Sequence, residues 1–281
     1  MSSLVFRHPE PIAIHDIYWV NGQLFYITAK RNVIYRSTGK SIYKSKKRLE
    51  QVIYCFRHQK FIVWEGDQIL GVTLGGKIKL ICKVPEETGI MVVDKHGVIY
   101  LLNYKMTSIT TITMKGKVQE KEFTELNFQK FNVLHKAFSS RIDNEIFLFD
   151  GLNDILSKVN LVTGNITFFI HEQMLPIYNI NGLTVDSNDC IYLCGDGGFE
   201  IIKVTGIGKW SIVYRDENLS PECLSWKGDK LLIGTSNGEI IQVTPYMTNT
   251  LPSIQDLSIY ELHRLKEMIN RQINNFHSMV I

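Results

Sequence analysis

Residues 181–214 read NGLTVDSNDCIYLCGDGGFEIIKVTGIGKWSIVY, and this stretch decides the fold. It contains four short runs of β-forming side chains, separated by residues that favour tight turns, namely Asp, Asn, Ser and Gly. Turns are predicted at 186–189, 195–198 and 206–208. The first strand ends near Val185, and the other three span 190–194, 200–204 and 210–214. Four antiparallel strands cannot bury both of their faces alone, so several such units must pack face to face.

The same alternation of strands and turns recurs along most of the chain, at a period of about 40 residues that is typical of propeller blades. In the first unit, Asn21-Gly22 lies between two β-forming runs and is a strong hairpin signal. Six units are predicted, at residues 14–43, 51–84, 89–123, 137–170, 181–214 and 223–243.

The sixth unit has only three strands, and Leu4-Val5-Phe6 is available to complete it. A first strand that completes the last unit closes a ring and removes the exposed sheet edge. The sequence therefore predicts an all-β six-bladed β-propeller over residues 1–250, followed by a helical extension over 251–281. One alternative is a seven-bladed ring with a degenerate blade in Gln119–Lys136. A parallel α/β fold is disfavoured because no helical period occurs before residue 253.

The last residues follow a helical period instead of a strand period. Ser258 and Glu261 form a capping-box pattern, which predicts an amphipathic α-helix over about 258–277. Its apolar positions are Leu262, Leu265, Ile269 and Phe276. Two roles stay open for this helix: it packs on the propeller's own surface, or it docks on another protein or on a second copy of the chain.

Composition and cysteine content point to an intracellular protein, cytoplasmic or nuclear. No apolar run approaches the length of a membrane span, so no contact with a membrane is expected, and the N-terminus lacks the apolar core of a signal peptide. The five cysteines form no C-x-x-C pair, and they are expected to be reduced and mostly buried.

Charge is unevenly spread along the chain. Residues 1–140 contain 21 Lys and Arg against 11 Asp and Glu, whereas residues 141–281 contain 10 against 17. If consecutive units lie side by side, one half of the ring is basic and the other acidic, and this polarity favours an acidic partner. The densest basic cluster is Lys44, Lys46, Lys47 and Arg48. It is a candidate site for an acidic protein or a phosphate group, nucleic acid included, or it is simply a solvated blade edge.

Two phrases of the sequence resemble NHL-repeat and regucalcin/gluconolactonase propellers. They are residues 182–193, GLTVDSNDCIYL, and residues 91–101, MVVDKHGVIYL. The lactonase-type members of this group hold a divalent metal in the central channel with carboxylate and Asn side chains. The resemblance implies such a site at Glu10, Asn181 and Glu222, for calcium or magnesium. Glu222 stands where those enzymes carry Asp, and the three residues are distributed over units one, five and six, which departs from the family's pattern.

Other catalytic signals are missing from the sequence: there is no G-x-S-x-G, no phosphate-binding loop and no Cys/His zinc spacing. The leading hypothesis is therefore a non-enzymatic protein-interaction scaffold, a subunit of an intracellular complex that needs no cofactor. The alternative is a metal-dependent lactonase or esterase with its site in the central channel. A third hypothesis is nucleic-acid binding through the basic half, which predicts steep salt dependence.

Overall fold

The computed structural model describes residues 2–85, 87–103, 108–122, 134–139, 144–150, 155–163, 165–196 and 199–245. These residues form six four-stranded antiparallel sheets, the blades of a six-bladed β-propeller. The described residues thus contain the six blades that the repeat predicts. The predicted C-terminal helix lies outside the described residues, and so does the proposed boundary at residue 250.

Each blade is a meander whose first strand lies innermost. Blade one contains β2 (Ile14–Val20), β3 (Gln23–Thr28), β4 (Val33–Arg36) and β5 (Ser41–Lys44). Blade two contains β6 (Gln51–Cys55), β7 (Lys60–Glu65), β8 (Gln68–Thr73) and β9 (Ile78–Lys83). Blade three contains β10 (Thr88–Val93), β11 (Ile99–Asn103), β12 (Ser108–Ile112) and β13 (Val118–Glu122).

The second half of the ring repeats this order. Blade four contains β14 (Leu134–Ser139), β15 (Glu145–Asp150), β16 (Ile155–Asn160) and β17 (Ile166–His171), and a 3-10 turn (Glu172–Met174) follows it. Blade five contains β18 (Tyr178–Val185), β19 (Ile191–Asp196), β20 (Glu200–Gly206) and β21 (Lys209–Arg215). Blade six contains β22 (Pro221–Lys227), β23 (Lys230–Thr235) and β24 (Glu239–Val243), and its fourth strand is β1 (Ser2–Arg7).

The ring is closed by the N-terminal strand, as the sequence predicts. β1 pairs antiparallel with β24, with Ser2 opposite Val243 and Arg7 opposite Glu239. The side chain of Phe6 then packs against Tyr26 of blade one, with 4.8 Å between the ring centroids. The pairing of the first described strand with the last closes the circle, and a buried cluster shared by blades six and one supports it. The first strand of blade four begins at Leu134, three residues before the predicted start at Ala137.

The V-D turn that marks the repeat is held by its aspartate. Asp186 Oδ1 accepts hydrogen bonds from the N–H groups of Asn188 (2.8 Å) and Cys190 (2.9 Å), and Tyr192 donates its hydroxyl to Asp186 Oδ2 at 3.1 Å. One carboxylate thus fixes the turn and ties it to the next strand, which explains why Asp and Tyr recur six residues apart.

The core lies between neighbouring blades. Blades one and two share a buried cluster in which Phe25 contacts Phe61, with ring centroids 5.4 Å apart. Blades four and five share another that contains Phe147 and Leu193. Because each sheet buries its faces on its neighbours, no blade is stable alone. Within the described residues, no helix is long and apolar enough to cross a membrane.

Candidate functional site

The six innermost strands surround an axial channel with a cavity of about 650 Å³. Its wall is partly apolar, with Trp19, Phe138 and Trp226 among the lining residues, and partly polar, with His15 and Gln51. Concave sites of this size with a few converging polar groups commonly bind small ligands.

The channel wall is fixed by hydrogen bonds that join one innermost strand to the next through a side chain and a backbone group. These run from the Tyr18 hydroxyl to the Val52 carbonyl (2.6 Å), from the Met91 N–H to Gln51 Oε1 (2.9 Å), and from the Trp226 N–H to Thr184 Oγ1 (3.2 Å). Neighbouring blades are therefore held in fixed register along the channel, which preorganises any site there.

A chain of three polar side chains lies at the mouth where the innermost strands begin. His15 Nδ1 lies 2.8 Å from Asp16 Oδ2, and Arg31 donates to His15 Nε2. Because arginine has only donors, His15 must accept at Nε2 and donate its Nδ1–H to Asp16. Burial lowers the pKa of Arg31, an effect that the charge of Asp16 opposes and that of Arg48 strengthens. The imidazole thus links a carboxylate to a guanidinium.

These three residues were not found from the sequence. His15 and Asp16 are adjacent at the start of a strand, and that pair was the one available signal. Arg31 comes from the turn between β3 and β4, where its φ of 47° is unusual for a residue other than glycine. No sequence pattern indicates that this turn reaches the channel, because the contact between Arg31 and His15 forms only when the strands of blade one have paired.

The three residues predicted to bind a metal do not belong to the lining of this cavity. None of Glu10, Asn181 and Glu222 is among the described residues that line it, although Gly182 and Cys223, which directly follow two of them, do line it. The metal site therefore stays a prediction. Among the described residues, no group of three or more His, Cys, Asp and Glu side chains lies close enough to hold a metal ion.

Glu10 and Asn181 contact polar groups of other strands and loops. Glu10 Oε2 lies 3.4 Å from Lys30 Nζ, and both side chains are largely exposed. The amide nitrogen of Asn181 donates to Asp196 Oδ1 at 2.7 Å. Glu222 is half-buried in β22.

The predicted basic cluster lies in the connection from β5 to β6. Lys44, Lys46, Lys47 and Arg48 are all exposed to solvent. We call residues 44–48 the basic loop. It joins blade one to blade two at the ring face where the innermost strands begin, so it lies near the mouth that contains Arg31.

The basic loop is anchored by buried groups between and beside its cations. The Tyr43 hydroxyl and Ser45 Oγ both donate to the carboxylate of Glu65, and the Lys47 N–H donates to Ser45 Oγ at 2.8 Å. Leu49, which is 1% exposed, packs into the core directly after the loop. Burial and the hydrogen bond to Glu65 raise the pKa of Tyr43 well above its ordinary value. The loop therefore holds its four cations on a fixed backbone.

The remaining predicted partner-binding residues, Leu262, Leu265, Ile269 and Phe276, lie outside the described residues. Their role stays a prediction.

Comparison with known proteins agrees with the fold. The sequence matches no family model and no curated protein. Solved structures with a similar fold include virginiamycin B lyase from Staphylococcus aureus, with 12% identity and a TM-score of 0.61 over 88% of this chain and 99% of that chain. A gluconolactonase from Xanthomonas campestris has 9% identity and a TM-score of 0.66 over 87% and 89% of the two chains. The WD40 propeller domain of Doa1 has 11% identity and a TM-score of 0.57 over 86% and 97%.

At these identities the likeness shows the fold alone, and the chain is a six-bladed β-propeller that resembles the gluconolactonase-type propellers at that level. The three structures include two enzymes and a WD40 domain, so the fold leaves function open.

Proposed function

We propose that this chain is a non-enzymatic protein-interaction module, a subunit of an intracellular complex, that binds an acidic partner through the basic half of the ring. The blade order places the excess of Lys and Arg of residues 1–140 mainly in blades one to three, which are consecutive around the ring. A charge asymmetry along the sequence thus becomes an asymmetry in space, which steers an oppositely charged partner.

The observation that carries the proposal is the anchored basic loop. A flexible basic connector would lose conformational entropy on binding, and that loss would weaken the complex. Here Glu65 and Leu49 hold the backbone on both sides of the cations. The four charges therefore meet a partner on a backbone that is already ordered, near the mouth of the channel.

The test uses the lysines of the loop as reporters. A carbodiimide, which activates carboxylates for attack by lysine amines and leaves as a urea, is added to native, nuclease-treated lysate and should join Lys44, Lys46 or Lys47 to acidic segments of a protein partner. The variant Lys44→Gln, Lys46→Gln, Lys47→Gln, Arg48→Gln should lose that partner. The matched control, Lys77→Gln, Lys79→Gln, Lys83→Gln, removes exposed cations from β9 and should keep it.

A partner that the loop variant retains would refute the proposal. Loss of the bound material on nuclease treatment would instead support nucleic-acid binding, which should also weaken steeply with salt.

A second function is favoured by the channel. Its cavity of about 650 Å³ opens beside the chain Asp16–His15–Arg31, and such a site is suited to a hydrolase of the lactonase or esterase type. This hypothesis predicts stoichiometric binding of Ca²⁺ or Mg²⁺ in calorimetry, together with turnover of lactones or esters. Unchanged metal affinity in Glu222→Ala would count against the predicted ligand set.

A further inference from the structure

Neighbouring blades contact one another through the turn between the third and fourth strands. A Cβ built on Gly76 in blade two would lie 3.0 Å from the carbonyl oxygen of Ile42 in β5. A Cβ built on Gly116 in blade three would lie 2.7 Å from the carbonyl oxygen of Ile81 in β9. In blade five, the N–H of Gly208 donates to the carbonyl of Phe169 in β17 at 2.7 Å. In these three blades the turn thus packs on the outer strand of the preceding blade.

Blade one lacks this contact. Gly39 is in the corresponding turn, and no described atom lies within 4 Å of a Cβ built on it. The preceding outer strand is β1, and a groove of about 350 Å³ separates it from blade one. Val5, Trp19, Leu24 and Thr38 are among the residues that line the groove. Blade six and blade one share a buried cluster nearer the channel, so the gap is confined to the outer side of this seam, next to the turn of blade one.

The chain leaves the propeller next to this seam. Val243, at the end of β24, pairs with Ser2 at the start of β1. Val5 is three residues further along β1, about 10 Å at the rise of a strand. Residues 246–281 follow directly. The stretch before Ser258 is long enough to reach any part of the groove, and a helix over 258–277 would be about 30 Å long.

We propose that the groove between β1 and blade one is the docking site of the chain's own C-terminal segment, residues 246–281. The segment carries the apolar positions Leu262, Leu265, Ile269 and Phe276, for which the propeller fold has no other use. Because the segment is tethered beside the groove, its effective concentration there is on the order of millimolar, well above that of a free partner. Docking would add contacts on the outer side of the seam, beside the pairing of β1 with β24 that closes the ring.

The first experiment blocks the groove. Thr38→Trp places a large side chain at an exposed turn that lines it, and Thr163→Trp makes the same change at the corresponding exposed turn of blade four. Trypsin can cut the segment at Arg264, Lys266 and Arg271. Thr38→Trp should speed this cleavage about tenfold, since the segment loses its site, while Thr163→Trp should match the wild-type chain. Equal cleavage rates in all three proteins would overturn the proposal.

The second experiment changes the segment instead of the groove. Replacing Leu262, Leu265, Ile269 and Phe276 by Ser in the full chain should raise amide hydrogen exchange in β1 about tenfold, because the contacts on the outer side of the seam are lost. A control with four polar positions of the segment changed to Ser should leave that exchange unchanged. Unchanged exchange in the apolar variant would contradict the proposal. A wild-type dimer in sedimentation velocity that this variant converts to monomer would also contradict it, since the segment would then bind a second copy.

Discussion

The two halves of the ring use their charges differently. In blades four and five, lysine and arginine side chains form ion pairs with largely buried carboxylates, whereas the described pair of blade six, Arg7 with Glu239, is exposed at the arginine. Lys158 Nζ lies 2.6 Å from Glu145 and 2.9 Å from Asp189, Lys203 lies 4.0 Å from Asp186, and Arg215 lies 3.6 Å from Glu200. Because Glu145 is in blade four and Asp189 is in blade five, Lys158 ties two blades together.

In blades one to three, by contrast, most cations are exposed. Besides the basic loop, Lys77, Lys79 and Lys83 lie exposed on and beside β9. Glu10 and Lys30 form an ion pair there, but both side chains are 63% exposed, and such pairs contribute little to stability. The ion-paired cations of blades four and five thus help to hold the fold, whereas the exposed cations of the basic loop lie where a partner can reach them.

The largest effect is expected from removing Lys158. Lys158→Met keeps the apolar stem but leaves two poorly solvated carboxylates without their cation, which should lower the free energy of unfolding by about 2–3 kcal/mol. Urea denaturation measures this change. The matched control is Lys79→Met on the exposed strand β9, which should change it by less than about 0.5 kcal/mol. Equal costs for the two variants would remove the distinction between the halves.

The second prediction compares the stability cost of removing the aspartate from two turns that are held by the same hydrogen bonds. Asp94 in blade three accepts from the N–H groups of His96 (2.9 Å) and Val98 (2.8 Å) and from the Tyr100 hydroxyl (3.1 Å), as Asp186 does in its own turn. Asp186 is buried at 2% exposure, whereas Asp94 is half-buried. Since a buried donor left unpaired costs more than a solvated one, Asp186→Ala should cost about 2–3 kcal/mol and Asp94→Ala about 1 kcal/mol.

Thermal and urea denaturation of both variants check this order. Asp186→Asn and Asp94→Asn serve as controls, because an amide oxygen can still accept from the turn. An Asp94→Ala variant as unstable as Asp186→Ala would show that burial does not set the cost.

These turns also show what the sequence can predict. The pattern V-D followed by turn residues and Tyr encodes local hydrogen bonds in blades three and five. The strand positions and the blade number follow from the repeat of strands and turns, and closure by β1 follows from the three-stranded sixth unit. The basic loop was also visible, because a run of cations needs no tertiary information. Its anchor was not, since Glu65 reaches Tyr43 and Ser45 from the next blade.

The channel was harder to predict for the same reason. Arg31 meets His15 only after β2, β3 and β4 have folded, and the bond leaves no trace in local spacing. The predicted metal ligands rest on a resemblance alone, and the lining of the cavity depends on which strand positions face the axis. A shift of one residue along a strand turns a side chain to the opposite face of the sheet. Gly182 lines the channel, whereas Asn181 before it does not.

A smaller effect is expected at high pH. Burial disfavours the charge of Lys158, but hydrogen bonds to Glu145 and Asp189 outweigh it and raise its pKa above the ordinary value of 10.5. A pKa that is higher in the folded protein adds stability below the ordinary value, and that stability is lost as the pH rises through the folded value.

The difference in unfolding free energy between the wild-type chain and Lys158→Met should therefore be constant from neutral pH to pH 10.5 and shrink above it. Buried tyrosines such as Tyr26, whose pKa burial raises to about 12, titrate in both proteins and cancel in the difference. A difference that stays constant through the alkaline range would show that Lys158 is not held by its two carboxylates.

The smallest effect is expected from the basic loop. Changing Lys44, Lys46, Lys47 and Arg48 to Gln removes mutual repulsion between exposed like charges, so the free energy of unfolding should rise by no more than about 0.5 kcal/mol at low salt. Near 1 M salt, where the Debye length is about 3 Å, the gain should vanish.

Glu65→Gln is the control for this prediction. It weakens the anchor beneath the loop but leaves the four cations in place. It should therefore lower the free energy of unfolding while the four exposed charges remain. If the loop variant were clearly destabilised, these cations would stabilise the fold, as Lys158 does. The contrast between the two halves of the ring would then fail, and with it the argument for the proposed partner surface.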